Sequence, residues 1–406
     1  MRRSGVFRMV AEVLLGLAVA AGAFAAAQWA ARALPGGEAL RYPWEALRQM
    51  VLHGENPYAQ WRLLYAWSAP HGYPVPQLYP FHVAVVFFLP LALIKDFVVV
   101  RALAMVGMAV AWSAAAWRAS RVFGWRGGKA LGIGVFLFGI SWFFAAEAMW
   151  RGDVVGLVLA LDVLALTALT RRQYRLAGGL LALTLIKPMV ALPVVIFLLL
   201  WAFSRGKWRL WGGFWGVTAI LFGFSWWLLP AWPLDAARLA VQFAGHQTIY
   251  RLVADAVPGI GRQLGWLVLA VPGALVFLEW MGAWGKSSSR AVWTAALTIW
   301  GSMWWGLQLT VADQALLLLP LALVWLHWSG RWKAYGRLAV WVSLLGFWVV
   351  SWTLWWPYGW QPEAITSSLA VRLAVPLLVW PLLYSVRWWA TRTYAAWEDT
   401  LPLDQL

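Results

Sequence analysis

Apolar runs of about 20 residues recur from one end of the chain to the other, each long enough to cross a bilayer as a helix. In lipid the backbone must satisfy its own hydrogen bonds, so this feature restricts the fold more than any other. The chain has 406 residues, 63% hydrophobic and only 12% charged, with mean hydropathy +0.68. Too few charges are present to cover a soluble protein of this size. The expected fold class is an all-α polytopic membrane protein, one membrane-embedded domain over residues 1–406.

The first run, Met9 to about Ala31, follows Arg2, Arg3 and Arg8. Its apolar part exceeds a typical signal-peptide core and further spans follow, so it reads as a retained signal-anchor. Cysteine is absent, which excludes disulfides, thiolate metal sites and a Cys nucleophile. The net charge of +16 resides largely in short loops, at Arg171-Arg172-Arg175, Arg205-Lys207-Arg209, Lys286-Arg290 and Arg331-Lys333-Arg337. That is the positive-inside pattern of a membrane protein, not a nucleic-acid footprint. A multi-pass protein of the plasma (inner) membrane is expected, with both termini cytoplasmic. Trp pairs at 226–227, 304–305, 355–356 and 388–389 fall near span ends, as in an aromatic belt.

The charge rule orders the second half. Leu176–Phe203 is flanked by basic loops on both sides, and its roughly 28 residues suit two half-spans broken at Lys187-Pro188. Spans then follow at Leu210–Leu229, Leu264–Trp280, Ala291–Gly306, Leu309–Trp328, Leu338–Trp356 and Ala370–Trp389. In the first half, Tyr79–Ile94, Phe97–Trp117, Leu131–Met149 and Val154–Thr170 are all apolar enough to span. If all four cross, two basic loops fall outside, so Tyr79–Ile94 is expected to be short or re-entrant. The sum is about 11–12 membrane segments.

A polar insert, Arg32–Leu78, separates the first span from the next. A helical bundle needs only a short connection there. Within it Trp44, Leu47 and Val51 recur at helical spacing, one apolar face of a surface helix. It also carries Glu38, Glu45 and Gly54-Glu55-Asn56-Pro57-Tyr58, and ends at Tyr79-Pro80. Soluble-enzyme motifs are absent, so chemistry must come from ionisable groups at or in the membrane, each a functional candidate by default. Asp153 follows Arg151-Gly152 where a span begins, which also suits a helix-start carboxylate with Arg151 as partner. Lys187 lies at a break, where a cation suits an anionic lipid headgroup. Asp313 opens another apolar run, and Asp162, inside a span, should be paired within the bundle. A second loop carries His246, Arg251 and Asp255.

In their order these motifs resemble the integral-membrane GT-C glycosyltransferases, closest to glycosyltransferase family 87, which uses polyprenyl-phosphate mannose. That pattern has Gly-x-Asn/Asp-Pro-Tyr in the first outer loop, matched by Gly54–Tyr58, then Tyr-Pro, matched by Tyr79-Pro80. A Gly-Gln pair follows, where this chain has Gly152-Asp153. Next come a Gly-rich stretch, Lys-Pro and a basic-aromatic loop, matched by Gly178-Gly179, Lys187-Pro188 and Arg205–Arg209. The ordered match covers roughly the first half. The pattern's Asp, taken as the general base, lies about fourteen residues before the loop Gly, and here that position is Leu40.

The resemblance implies a GT-C-like bundle with a large first outer loop. It implies inverting glycosyl transfer, of mannose by preference, from a polyprenyl-phosphate donor to a lipid or glycan acceptor outside the membrane. Glu38 and Glu45 are the carboxylates nearest the missing Asp and become the candidate bases. Lys187, Asp153, Arg151, Tyr58, Asn56, Tyr79, His246, Arg251 and Asp313 are the candidate substrate-binding residues. No cofactor is required; a divalent cation is compatible with the chemistry but nothing in the sequence calls for one. The rival readings are a transporter or flippase of lipid-linked glycan, which also uses intramembrane charges and broken helices, and a non-catalytic scaffold of the same fold. A Cys introduced at Gly54 is expected to react with an impermeant maleimide from outside intact cells; labelling only after permeabilisation would reverse the topology.

Overall fold

The computed structural model describes residues 2–34, 36–58, 79–123, 125, 128–243, 249–305, 310–358 and 368–392. Every regular element among them is helical. In chain order these are α1 (Arg2–Ala33), α2 (Glu38–His53), α3 (Phe81–Ala92), α4 (Phe97–Val122), α5 (Lys129–Ser141), α6 (Phe143–Arg151), α7 (Val155–Thr170), α8 (Tyr174–Thr184) and α9 (Pro188–Ser204). They continue with α10 (Trp208–Leu228), α11 (Trp232–Phe243), α12 (Ile249–Ala256), α13 (Gly261–Ala283) and α14 (Ser288–Trp305). A 3₁₀ turn (Val311–Leu317) precedes α15 (Leu318–Arg331), α16 (Lys333–Trp355) and α17 (Leu369–Ala390).

By length and composition five of the described helices can cross a membrane, or seven if each of two bent pairs counts as one span. The 11–12 segments expected from hydropathy are therefore not all full crossings. Helix α3 has 12 residues and spans about 18 Å, short of a hydrocarbon core of about 30 Å. The run Leu131–Met149 breaks at Trp142 into α5 and α6, bent by 50°.

Exposure sorts the helices into an inner and an outer set. Every residue of α14 from Ala291 to Trp304 is buried, as expected of a helix apolar all round. Outer helices instead present Val110, Ile133, Ile220, Phe277, Val342 and Leu377 outward, a surface suited to lipid. The Trp pairs divide in the same way. Trp226, Trp227, Trp356 and Trp388 are exposed, whereas Trp304 and Trp355 are buried in helix packing and form no belt. Fully enclosed Trp293 and Trp300 donate to the carbonyls of Leu383 (3.2 Å) and Pro376 (2.7 Å), so each burial leaves its indole N–H satisfied.

The segment around Lys187 breaks at the expected place, into α8 of 11 residues and α9 of 17. Pro188 is the first residue of α9 and cannot donate to a preceding turn, so the helix restarts there. Lys207, just past α9, lies 5.1 Å over the ring of Tyr174 at the start of α8. The two helices thus leave one side and return to it. Eleven residues of α8 reach about 16 Å and seventeen of α9 about 26 Å, each less than a hydrocarbon core of about 30 Å. Glycine permits the close packing behind this tip. A Cβ on Gly178 would come within 2.1 Å of Leu210 O, and one on Gly213 equally close to Arg175 O. Helices α8 and α10 therefore touch backbone to backbone. On the same basic side, Glu279 of α13 bonds Arg290 of α14 and Arg387 of α17 (2.9 Å), tying three helix ends together.

The first loop docks onto the bundle through α2. Leu40, Trp44 and Leu47 are buried, while Val51 is exposed, so the apolar face begins one turn earlier than the spacing suggests. Trp44 donates to Leu91 O (3.0 Å) and Arg48 to Ala92 O (3.2 Å) at the end of α3. Buried Arg101 on α4 bonds the carbonyls of Ala31 (3.2 Å), Leu34 (2.9 Å) and Trp150 (3.0 Å). It joins the ends of α1 and α6 just before α2 begins. Arg101→Met is expected to lower unfolding stability in detergent by about 3 kcal/mol, since hydrogen bonds from a charged donor carry about 1.5–3 kcal/mol each. Arg251→Met, at an exposed site, should stay within about 1 kcal/mol; equal thermal shifts for the two variants would refute the clamp.

Candidate functional site

Helix α6 ends at Gly152, whose φ of +71° is left-handed and favours glycine. The turn presents Asp153, and its Oδ1 accepts from the Val155 amide (2.9 Å) at the start of α7. The carboxylate is thus the helix-start group expected there. Its ionic partner, however, is not Arg151. Lys187 at the α8–α9 tip donates to Asp153 Oδ1 (2.8 Å) and Oδ2 (2.9 Å). The same ammonium pairs with Asp313. Asp313 in turn accepts from the Thr310 amide (2.7 Å), completing a capping box that begins the 3₁₀ turn. The Thr310 hydroxyl donates to Asp153 Oδ2 (3.3 Å). Three polar starts of apolar segments, at Asp153, Lys187 and Thr310–Asp313, thereby meet, although they lie 34 to 157 residues apart.

The cluster is inside the protein. Lys187 is 5% exposed, and Asp153 and Asp313 are 1% each. A buried cation is unfavourable unless paired and hydrogen-bonded, and two carboxylates and a hydroxyl supply that here. Arg151 pairs with Glu147 one turn back (3.4 Å). Buried Arg372 on α17 lies within electrostatic reach of Asp313 and Glu147. Lys187, Arg151 and Arg372 thus face Asp153, Glu147 and Asp313, three charges of each sign. Tyr79, fully buried, lies near Asp153 and Asp313 with its hydroxyl hydrogen-bonded to the Val154 backbone. Gln314 donates to Val371 O (2.8 Å) and Arg372 O (3.4 Å). Pro376 leaves the Arg372 carbonyl without its helical donor, and Gln314 supplies one.

Of the residues singled out in the sequence, Asp153, Lys187, Asp313, Arg151 and Tyr79 come together. Lys187 does not stand open for an anion as expected, because its ammonium is already engaged. Leu40, at the position of the pattern's Asp, packs on Gly152, where a Cβ would come within 2.6 Å of it. That position therefore adjoins the cluster. Glu38 and Glu45, by contrast, are exposed, and Glu38 lies within reach of Arg101. Asn56 and Tyr58 serve a different junction. Asn56 donates to Asp235 of α11 (2.8 Å) and accepts from the Tyr58 amide (2.9 Å). The Phe81 amide donates to the Tyr58 hydroxyl (3.2 Å), and burial pushes the Tyr58 phenol well above its usual range. Arg251 is exposed beside Asp255 (4.0 Å). His246 lies outside the described residues, as do 59–78 of the first loop. Asp162 is buried on α7, and neither carboxylate oxygen has a hydrogen-bond partner among the described residues, so the expected pairing is not observed.

Sequence reasoning missed Glu147, Thr310, Gln314 and Arg372. Glu147 and Arg372 were legible as lone charges in apolar runs, the same signal that marked Lys187. Thr310 and Gln314 carried no such signal. Among the described residues no group of His, Asp and Glu side chains is arranged to hold a metal ion. No protein-family model, curated protein or solved structure matches this chain. Lys187→Met would strand two buried carboxylates and is expected to destabilise the protein by about 3–5 kcal/mol. The double variant Lys187→Met/Asp153→Asn should recover part of that loss in detergent thermal unfolding. A Lys187→Met protein as stable as the parent would show that the cluster contributes nothing.

Proposed function

We propose that this chain is a membrane-embedded inverting glycosyltransferase that takes a sugar, mannose by preference, from a polyprenyl phosphate and passes it to a lipid or glycan acceptor. The observation that carries the reading is the convergence of Leu40, Gly152-Asp153 and Lys187-Pro188. These are three ordered positions of the glycosyltransferase-like pattern, and they adjoin one another although they are distant in sequence. In such a reaction the lipid tail of the donor stays in the bilayer, and negative charge grows on the departing phosphate. Lys187 and Arg372 are the buried cations that would stabilise it, with their present carboxylate partners giving way as the phosphate enters. Glu38 and Glu45 are exposed whereas these residues are buried, so in this reading the acceptor proton is taken by a carboxylate of the cluster.

Charge balance supports a second reading. A broken helix whose tip is neutralised by three-for-three pairing also suits a transporter or flippase of lipid-linked glycan. The two separate in proteoliposomes given radiolabelled polyprenyl-phosphate mannose and a membrane-lipid extract as acceptor source. The enzyme reading expects a new mannosylated product, lost at least 100-fold in Lys187→Met and Asp153→Asn. Glu38→Gln and Glu45→Gln should stay within threefold of the parent. Movement of intact donor across the bilayer without product would favour transport, and loss of turnover in Glu38→Gln would return the base to the outer loop.

A further inference from the structure

A general base needs a lone pair free to take the acceptor proton. Asp153 has none to spare. Its Oδ1 serves Lys187 and the Val155 amide, and its Oδ2 serves Lys187 and Thr310. Asp313 gives Oδ2 to the Thr310 amide and pairs through Oδ1 with the Lys187 ammonium, whose positive charge opposes taking up a proton there. Glu147 differs. Its Oε1 meets Arg151 at 3.4 Å, while Oε2 is buried with no hydrogen-bond partner among the described residues. The side chain is only 10% exposed. An unmet acceptor at that depth is unfavourable by about 1–3 kcal/mol, which calls for an explanation.

A second unmet acceptor lies close by. The 3₁₀ turn packs against α6, the helix that carries Glu147. Gln314 on that turn is 4% exposed, and while its amide N–H groups serve α17, its Oε1 has no partner among the described residues. Two empty acceptors on two packed elements, beside two buried cations and half-buried Arg151, match a ligand that brings hydroxyl donors. We propose that Glu147 is the general base of the transfer and that Gln314 orients a hydroxyl-rich acceptor, a sugar or polyol headgroup; this rests on the glycosyl-transfer reading above. In the step, the acceptor oxygen bonds to the anomeric carbon. The bond from that carbon to the phosphate oxygen breaks, leaving its electron pair on the polyprenyl phosphate. The hydroxyl proton passes to Glu147 Oε2. Arg151 holds the other oxygen of Glu147 and so orients the carboxylate.

The test uses the full chain in proteoliposomes with radiolabelled polyprenyl-phosphate mannose and membrane-lipid extract. Glu147→Gln is expected to lower kcat roughly 10²–10⁴-fold, the range for a lost general base, with donor KM within about threefold. Its pH–rate profile should lose the acidic limb, which a merely structural role would not remove. Glu147→Asp should restore part of kcat and keep that limb. Gln314→Leu should raise acceptor KM more than it lowers kcat. Gel filtration and thermal unfolding verify folding; if Glu147→Gln does not fold, Glu147→Asp decides, and an unchanged kcat and pH profile there overturns the assignment. Folded Glu147→Gln protein within threefold of parental turnover overturns it too. No transfer by the unmutated protein overturns instead the reading on which it rests.

Discussion

The structure around the candidate site depends on one ammonium. Lys187 lies at the end of a half-helix inside an apolar bundle, where an unpaired charge would be strongly disfavoured. It is tolerated because Asp153 and Asp313 arrive from two other breaks in the helical pattern. Each carboxylate also caps the start of the segment behind it. The same atoms thus end one element, begin another and neutralise a third. Removing any of them leaves a buried charge and a loose helix end together.

This arrangement explains why the bundle is irregular where it is. Proline at 188 and 376, glycine at 152 and the 3₁₀ turn after Thr310 all free backbone groups that lipid could not satisfy. Those groups are met by side chains of the cluster or beside it, as Gln314 meets Arg372 O. Elsewhere the chain also bends, at Trp142 and between α10 and α11, and a second ion group at Glu279 ties helix ends on the basic side. Irregular backbone is tolerated inside a membrane protein where buried side chains satisfy the groups it frees, and the cluster supplies them here.

Much of the helical framework was legible in the sequence. Apolar runs and basic loops gave α4, α7, α10, α13, α14, α16 and α17 to within a few residues, because membrane-length hydrophobicity is a local property. The break at Lys187-Pro188 followed from proline and from loop charge. Helix α3 is short, as the loop charges required, but the Leu131–Met149 run misled, because apolar composition does not reveal the break at Trp142. The Trp pairs misled for a related reason: an indole is equally at home in the headgroup layer and in a core that satisfies its N–H.

The sequence by itself determined that this is a multi-pass helical protein with a few ionisable residues in its apolar segments. It also determined that α2 would be amphipathic, because such patterns depend on neighbours within a turn or two. Only the tertiary structure decided which ionisable residues meet. Lys187 chose Asp153 and Asp313 over any nearer group, Arg151 chose Glu147 over Asp153, and α2 turned Leu40 inward and Glu38 and Glu45 outward. Charge pairing in a bundle is set by which helices pack and at what rotation, and no local pattern encodes that.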